Sequence, residues 1–346
     1  MELTIASDAD KEQWDTLVNR SQNGSIFYTW KWLKLVEKHS HLKFSGLQAY
    51  GKFFPLFIID KEKPNGIYPL FLFKTPLYTL CYSPPSNVDL LCLGPLFPDI
   101  HTMRQEKKQI FLHDMQILVD RFIRKDLKAS YIQINTPPGF EDCRFFKWGG
   151  YEAEPRYTYY IDLNPGLDQI WKNFNKSLRY YIDKAKKEGI TVTEGTKEDA
   201  LFIYDMLKER GRIKSSKEFI GDIFDDFFPD HIKVFVAQTG TEHLSGIITI
   251  IDRNKVKFWI GSPKCSYKGL SPNELVLWES IRWAKERGYS TFEIEGADDY
   301  SLFPFKRKFN GKIIPYYQMK WRSPLLAIFS SLYHSFKRGN NYLEER

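Results

Sequence analysis

The chain has 346 residues, 42% hydrophobic and 16% aromatic, with a formal net charge of +7. That length and apolar content suit two packed domains and exclude a disordered chain. The excess charge is local. From Tyr300 onward nine Lys/Arg face only Glu344 and Glu345, while the rest balances, a pattern that suggests an anionic partner met by one region and excludes a protein that coats nucleic acid.

Cys81, Cys92, Cys143 and Cys265 are widely spaced, with no Cys-x-x-Cys pair, and read as reduced thiols of a cytoplasmic protein. The opening Met-Glu-Leu-Thr-Ile-Ala-Ser-Asp has neither the positive start nor the apolar stretch of a signal peptide. No apolar run approaches the ~20 residues that span a bilayer. The seven histidines form no ligand cluster, and His39 and His41 fit a surface turn better than a metal, so no metal is expected.

In chain order, Trp32, Leu33, Leu35 and Val36 give Trp30–Lys38 the apolar face of a helix. Strands are expected over Phe53–Ile59, Ile67–Phe73 and Leu77–Tyr82, between Pro/Gly turns. Leu90–Phe97 reads as a buried strand interrupted at Gly94-Pro95. Lys107–Ile123 repeats apolar residues at helical spacing, and Tyr131–Asn135 and Tyr157–Leu163 read as strands. Asn175–Glu188 is a basic helix stopped by Gly189. Its cations suit either a solvated linker or a ligand-binding face. A strand at Ile190–Thr193 and a helix from Glu198 to Arg210 precede three alternating strands, Ile232–Ala237, Leu244–Ile251 and Val256–Ile260.

Ser271-Pro272-Asn273-Glu274 reads as a helix start, with a capping Ser, Pro at the first helical position and Glu three residues after the cap. The helix runs to Arg287, where Gly288 ends it. Strands at Thr291–Glu295 and Ile313–Trp321 complete the pattern. The order helix, short strand, Phe-Lys, Gly, strand occurs twice. The pairs Phe146-Lys147 and Phe305-Lys306 lie 159 positions apart, so the chain reads as two copies of one α/β unit. The expected units are 1–165 and 166–322, followed by a basic amphipathic tail, 323–346.

A meander of strands followed by strand–helix–strand is the layout of acyl-CoA N-acyltransferase (GNAT) folds, in which an anionic donor sits on the helix N-terminus after the central strand. Phe305-Lys306-Arg307-Lys308-Phe309-Asn310-Gly311-Lys312 packs four cations between aromatics. Lys306, anchored by Phe305 and Phe309, is the candidate catalytic cation. Its ammonium could face a developing oxyanion, or burial among Arg307 and Lys308 could lower its pKa for proton transfer. On Thr291–Glu295, Phe292 and Ile294 face one side and Glu293 and Glu295 the other. Glu293 is the candidate base; the alternative is simple charge balance for the cations. Asp298, Asp299 and Tyr300 read as a polar loop. Ser271 reads as a cap, and nothing suggests a covalent intermediate, so direct attack in a ternary complex is the simplest mechanism. Trp259, Tyr267, Tyr316 and Tyr317 could stack on a base or sugar.

Trp32 with its helix, Gly94-Pro95, Asn175–Gly189, Leu270–Trp278 and Phe305–Gly311 occur in an order that resembles the Fem-type (FemABX-like) peptidoglycan-bridge aminoacyltransferases over nearly the whole chain. The resemblance implies an α/β fold, a tandem pair of GNAT-like domains whose mixed sheets are flanked by helices, with the active site in the second. It implies an acyltransferase with no permanently bound cofactor. The donor is aminoacyl-tRNA, so that tRNA is a partner, and the acceptor is a nucleotide- or lipid-linked amine. It places the functional Phe-Lys pair on Phe305 and Lys306 and a diphosphate-gripping arginine on Arg212, with Arg210 competing. A central-strand aromatic falls on Trp259 and a first-domain lysine nearest Lys34. Tyr267, Ser271 and Asn273 fall in the donor loop. Two departures matter: Ile190–Lys217 leaves no room for a long helical tRNA-contacting arm, and Tyr267–Asn273 keeps only one glycine of the GNAT phosphate loop. An acyl-CoA-dependent enzyme acting on an amino sugar or small amine is the alternative, and a non-enzymatic module holding an anionic ligand is a third. The tail either packs on the second domain or lies on a membrane surface near a lipid-linked acceptor.

Overall fold

In the computed structural model, residues 1–44, 47–263 and 265–327 are described. Of the tail 323–346, the part beyond Ala327 lies outside them. The chain folds in the order β1 (Glu2–Ile5), α1 (Lys11–Arg20), α2 (Trp30–His39), β2 (His41–Phe44), β3 (Leu47–Asp60), β4 (Lys63–Lys74), β5 (Thr79–Ser83), α3 (Gln105–Arg121), β6 (Tyr131–Asn135), α4 (Arg144–Trp148) and β7 (Glu152–Asp162). There follow α5 (Leu167–Asn173), α6 (Lys176–Lys187), β8 (Thr191–Glu194), α7 (Lys197–Glu209), α8 (Lys217–Phe227), β9 (Ile232–Thr239), β10 (Glu242–Asp252), β11 (Lys255–Gly261), α9 (Pro272–Glu286), β12 (Thr291–Ile294), α10 (Phe303–Lys306) and β13 (Lys312–Arg322).

The strands form one mixed sheet in the order β1-β3-β4-β5-β6-β13-β7-β12-β11-β10-β9-β8, with β2 added on β3. Each half contains a parallel pair, β5 with β6 and β11 with β12. The last strand of each half then crosses over: β13 pairs with β6, and β7 pairs with β12. β7 and β13 pair with each other over nine rungs, from Lys312↔Tyr160 to Lys320↔Glu152, so the sheet is continuous through the middle of the molecule.

Helices cover both faces because the strands alternate apolar residues to both. On one face α3 and α4 bury Phe111, Met115, Val119 and Phe146 against Leu70 and Ile132. On that face, in the second half, α5, α6 and α9 bury Leu178, Ile182, Leu275 and Trp278 against Phe292 and Ile294. On the other face α1 and α2 meet α7 and α8 in a single core. Trp32 is fully buried there, 5.1 Å from the Phe227 ring and 6.0 Å from Trp259, and ties the halves together.

Three sequence expectations need correction. Leu90–Phe97 is an extended loop that forms no ladder with the sheet, meeting it at the isolated bridge Ile67↔Leu96 and through Leu93 N, which donates to Asn135 O at 3.1 Å. Pro95 has no N–H for a ladder, Gly94 turns the chain at φ +77°, and side chains satisfy the backbone: Ser83 Oγ accepts from Gly94 N, and Asn135 Nδ2 donates to Leu91 O. Ser271 occupies the cap position of α9 and Pro272 follows it, but no side-chain cap bond forms, and Glu274 turns to Lys308 (3.3 Å). Finally β1, β2 and the helices α1, α4, α5, α8 and α10 were not anticipated. The apolar residues of α8, Phe219, Ile220, Ile223, Phe224 and Phe227, recur at helical spacing, and Ser216 caps it.

Candidate active site

The two parallel strands of the second half build the site. Val256, Phe292 and Ile294 point into the helix-covered core, so the period of two puts Lys255 and Lys257, Glu293 and Glu295 on the opposite face. Tyr160 stands level with Glu293 on β7. Lys257 Nζ lies 3.4 Å from Glu293 and 3.0 Å from Glu295 Oε1, the latter off the hydrogen-bonding direction. Lys255 Nζ lies 3.9 Å from Glu293 and donates to the Tyr160 hydroxyl at 2.7 Å. Thr158 Oγ1 donates to Glu293 at 3.0 Å. The N-terminal half closes the cluster: the Phe27 ring lies 4.6 Å from Lys257 Nζ, and Cys92 comes close enough for these charges to bear on its thiol. Burying four charges is costly unless they are paired, and here two cations answer two anions.

Pairing between β11 and β12 ends at Phe258↔Ile294, while β11 continues unpaired on that side to Gly261. At this parting point the chain turns at Gly296 (φ +73°), where an added Cβ would lie 2.9 Å from Lys306 Nζ. Any side chain there would both strain the backbone and displace the lysine. Lys306 comes in from α10 and is 5% exposed; its ammonium donates to the carbonyls of Glu295 and Gly296 and sits 5.9 Å over the Phe258 ring. Burial pulls its pKa down to about 8, with the Glu295 and Asp299 carboxylates pulling the other way. Burial pushes Glu295 up to about 7, offset in part by Lys257 and reinforced by Glu293. A carboxyl near 7 beside a lysine near 8 is suited to proton transfer at neutral pH.

The cause of the lysine's shift differs from the sequence expectation. Arg307 is exposed over the Phe303 ring (5.5 Å) and Lys308 pairs with Glu274, so neither crowds Lys306. Phe305 stacks edge-on against Phe309 (5.6 Å), which packs on Phe174.

The other candidates are placed unevenly. Glu293, 1% exposed, is held by Lys257, Lys255 and Thr158 deep along the strands; Glu295 is the carboxylate at the parting point. Arg212 is exposed after α7 on the Lys306 side: Asp299, held low first by Ser301, is lowered further by Arg212 and Lys306. Trp259 donates from Nε1 to Asp89 O at 2.6 Å and packs on Trp32, joining the halves. Asn273 staples its own loop: its Oδ1 accepts from Cys265 N (2.9 Å) and its Nδ2 donates to Ser262 and Pro263. Tyr267 and Leu270 bridge across a tight turn in which Lys268 and Gly269 both have positive φ. Lys34 pairs with Glu37 on the exposed side of α2. Among the described residues no metal-ligating cluster occurs, and no helix is long and apolar enough to cross a membrane. Sequence reasoning missed Lys255 and Lys257, although two lysines at alternate positions in an apolar strand were a visible signal.

Residues 172–307 match the family model described as acetyltransferase (GNAT) domain. The matched segment is therefore an acetyltransferase-type (GNAT) domain, and the chain as a whole has the fold of two such units in tandem. A crystal structure of FemX aligns with TM-score 0.63 at 16% identity, covering 92% of this chain and 97% of that one. L-PGS from Bacillus licheniformis aligns with TM-score 0.52 at 13% identity, over 97% and 99%. A tandem GNAT protein from the clavulanic acid biosynthesis pathway aligns with TM-score 0.50 at 8% identity, over 93% and 98%. No curated protein matches by sequence.

Proposed function

We propose that the protein transfers an aminoacyl or acyl group to an amine of a cell-envelope, peptidoglycan-type precursor, by direct attack within a ternary complex. The observation that carries this reading is the Glu295–Lys306 pair where β11 and β12 part. The donor's carbonyl enters that opening. Glu295 takes a proton from the acceptor amine, which attacks as the neutral nucleophile, and the Lys306 ammonium faces the oxyanion of the tetrahedral intermediate. Glu295 gives that proton to the departing leaving group and takes up the second proton that the nitrogen sheds on becoming an amide. In this scheme residues 166–322 hold the chemistry, residues 1–165 provide acceptor contacts, and Arg212 meets an anionic part of the acceptor. The enzyme works at the cytoplasmic side, where its basic, amphipathic tail 323–346 would contact a membrane that carries a lipid-linked acceptor.

Two donors fit an acyltransferase: an aminoacyl ester on tRNA and a thioester on coenzyme A. The GNAT match favours the thioester. The start of α9 favours the ester, because Pro272 removes an N–H and the buried Glu274, paired with Lys308, already sets a carboxylate at the helix end where a diphosphate would sit. Thermal-shift and turnover assays with acetyl-CoA against charged tRNA decide between them. Stabilisation by micromolar CoA would sink the tRNA-dependent reading, and turnover with neither donor would sink both.

A further inference from the structure

From Glu295 a buried line of charged groups runs along the strands towards the start of β11. Its spacings are 3.0 Å from Glu295 to Lys257, 3.4 Å from Lys257 to Glu293, 3.9 Å from Glu293 to Lys255, and 2.7 Å from Lys255 to the Tyr160 hydroxyl. The far end lines a cavity of about 80 Å³, bounded by Asn23, Tyr28, Cys92 and Pro137 and by the turn Asp252–Asn254. That is room for about two waters with several polar partners. Acyl transfer alone does not explain such a line, since a base and a cation at the parting point are enough for attack.

An amine that arrives as an ammonium does explain it. Amide formation sends one N–H proton out with the leaving group. The extra proton of the ammonium stays on Glu295 and must leave before the next turnover. We propose that Lys257 and Glu293 conduct this proton from Glu295 to the cavity water, at the opposite end of the strands from the substrates. A small turn of the Lys257 ammonium brings its 3.0 Å contact with Glu295, off the hydrogen-bonding direction at rest, into line; the ammonium then gives a proton to the Glu293 carboxylate as it takes one from the Glu295 carboxyl, and so begins and ends as an ammonium. Glu293 then passes the proton to cavity water and is again a carboxylate. Thr158 holds Oε1 of Glu293, which leaves Oε2 facing the lysines.

Around this path stand Lys306 from α10, Tyr316 from β13, Arg156 and Tyr160 from β7, Cys92 from the loop after β5 and Asp252 from the end of β10; Asp298 and Asp299 lie near its Lys306 end. Burial works against the Lys257 charge, but Glu293 and Glu295 hold its pKa well above the ordinary value, so the bridging group stays cationic.

The proposal rests on Glu295 as the base, but its test needs neither donor nor acceptor. Infrared difference spectra of the resting full-length protein, taken below the Glu295 midpoint of about 7, read the protonated carboxyl, and Glu295→Gln assigns the band. On rapid dilution into heavy water the wild-type band shifts to its deuterated position. In Glu293→Gln this exchange slows by about 10²-fold, the lower end of what one proton-transfer group contributes. Asn23→Trp, which fills the cavity mouth and leaves the ionic cluster intact, slows it likewise. Wild-type exchange in either variant, or no Glu295 band at all, overturns the proposal. A protein inactive with both donors would instead overturn the reading of the reaction and leave the exchange result to stand alone.

Discussion

The two parallel strand pairs share one geometry and carry opposite chemistry. Both have four rungs: Leu80↔Tyr131 to Ser83↔Ile134 in the first half, and Lys255↔Thr291 to Phe258↔Ile294 in the second. Where the second half has Lys255, Lys257, Glu293 and Glu295, the first has Leu80, Tyr82, Gln133 and Asn135. Those neutral groups serve the fold: Asn135 holds Leu91 O and Gln318, and Gln133 accepts from the Tyr131 hydroxyl. The Phe-Lys pairs diverge in the same way, for Lys147 is exposed on α4 and Lys306 is buried on α10. A repeated scaffold has thus become neutral glue in one copy and a charged site in the other. Charges kept at a buried position despite their desolvation cost mark where function resides.

The sharpest way to break this comparison is at Glu295. Glu295→Gln is expected to lower kcat by about 10²–10⁴-fold with the fold intact. In the wild type, activity should climb as pH rises through about 7, because the base must be ionised; a flat pH profile would remove Glu295 from that role.

A second prediction concerns stability. The folded pKa of Lys306 is depressed to about 8 from 10.5, so the folded state holds a costly charge below that value. Between about 8 and 10.5 the unfolded chain binds more protons than the folded one, and stability rises with pH. Lys306→Met should therefore raise the melting temperature at neutral pH, and the gain should shrink above pH 8, as calorimetry across that range would show. Glu295 works in the opposite sense: its raised pKa makes the folded state lose stability as pH rises from 4.5 to about 7, so Glu295→Gln should stabilise most above that window.

A smaller effect comes from copying the charge into the first half. Gln133→Glu adds a partly buried carboxylate that faces Tyr82 on β5 where Glu293 faces Lys257 on β11, while Lys320 across from it on β13 is already paired with Glu154, and is expected to cost about 1–3 kcal/mol in chemical denaturation. An unchanged midpoint would mean that the first half tolerates what the second half had to pair.

Much of this difference was legible in the sequence, because helix and strand periods follow from apolar spacing. α2, β6, α6 and α9 lie within a few residues of their expected bounds, and the alternation of Phe292 and Ile294 against Glu293 and Glu295 is as expected. Lys306 stood out through its aromatic neighbours. What pairs with what across the sheet was not legible. That β13 joins β6 and β7 joins β12 is set by tertiary pairing, which no local period encodes. For the same reason Lys257 could not be matched to Glu293 and Glu295, and the weight fell on Glu293 when the strand end favours Glu295. Leu90–Phe97 has the composition of a strand, but side chains from Ser83 and Asn135 replaced its ladder.

The most direct test of the central claim is a matched pair, Lys306→Ala and Lys147→Ala, assayed side by side for donor binding and for turnover. Lys306→Ala is expected to keep donor binding and to lose about 2.7–4 kcal/mol of transition-state stabilisation, roughly 10²–10³ in kcat. Lys147→Ala should stay within about 0.5 kcal/mol of wild type in stability and turn over normally. Equal losses in the two variants, or wild-type turnover in Lys306→Ala, would contradict the central claim.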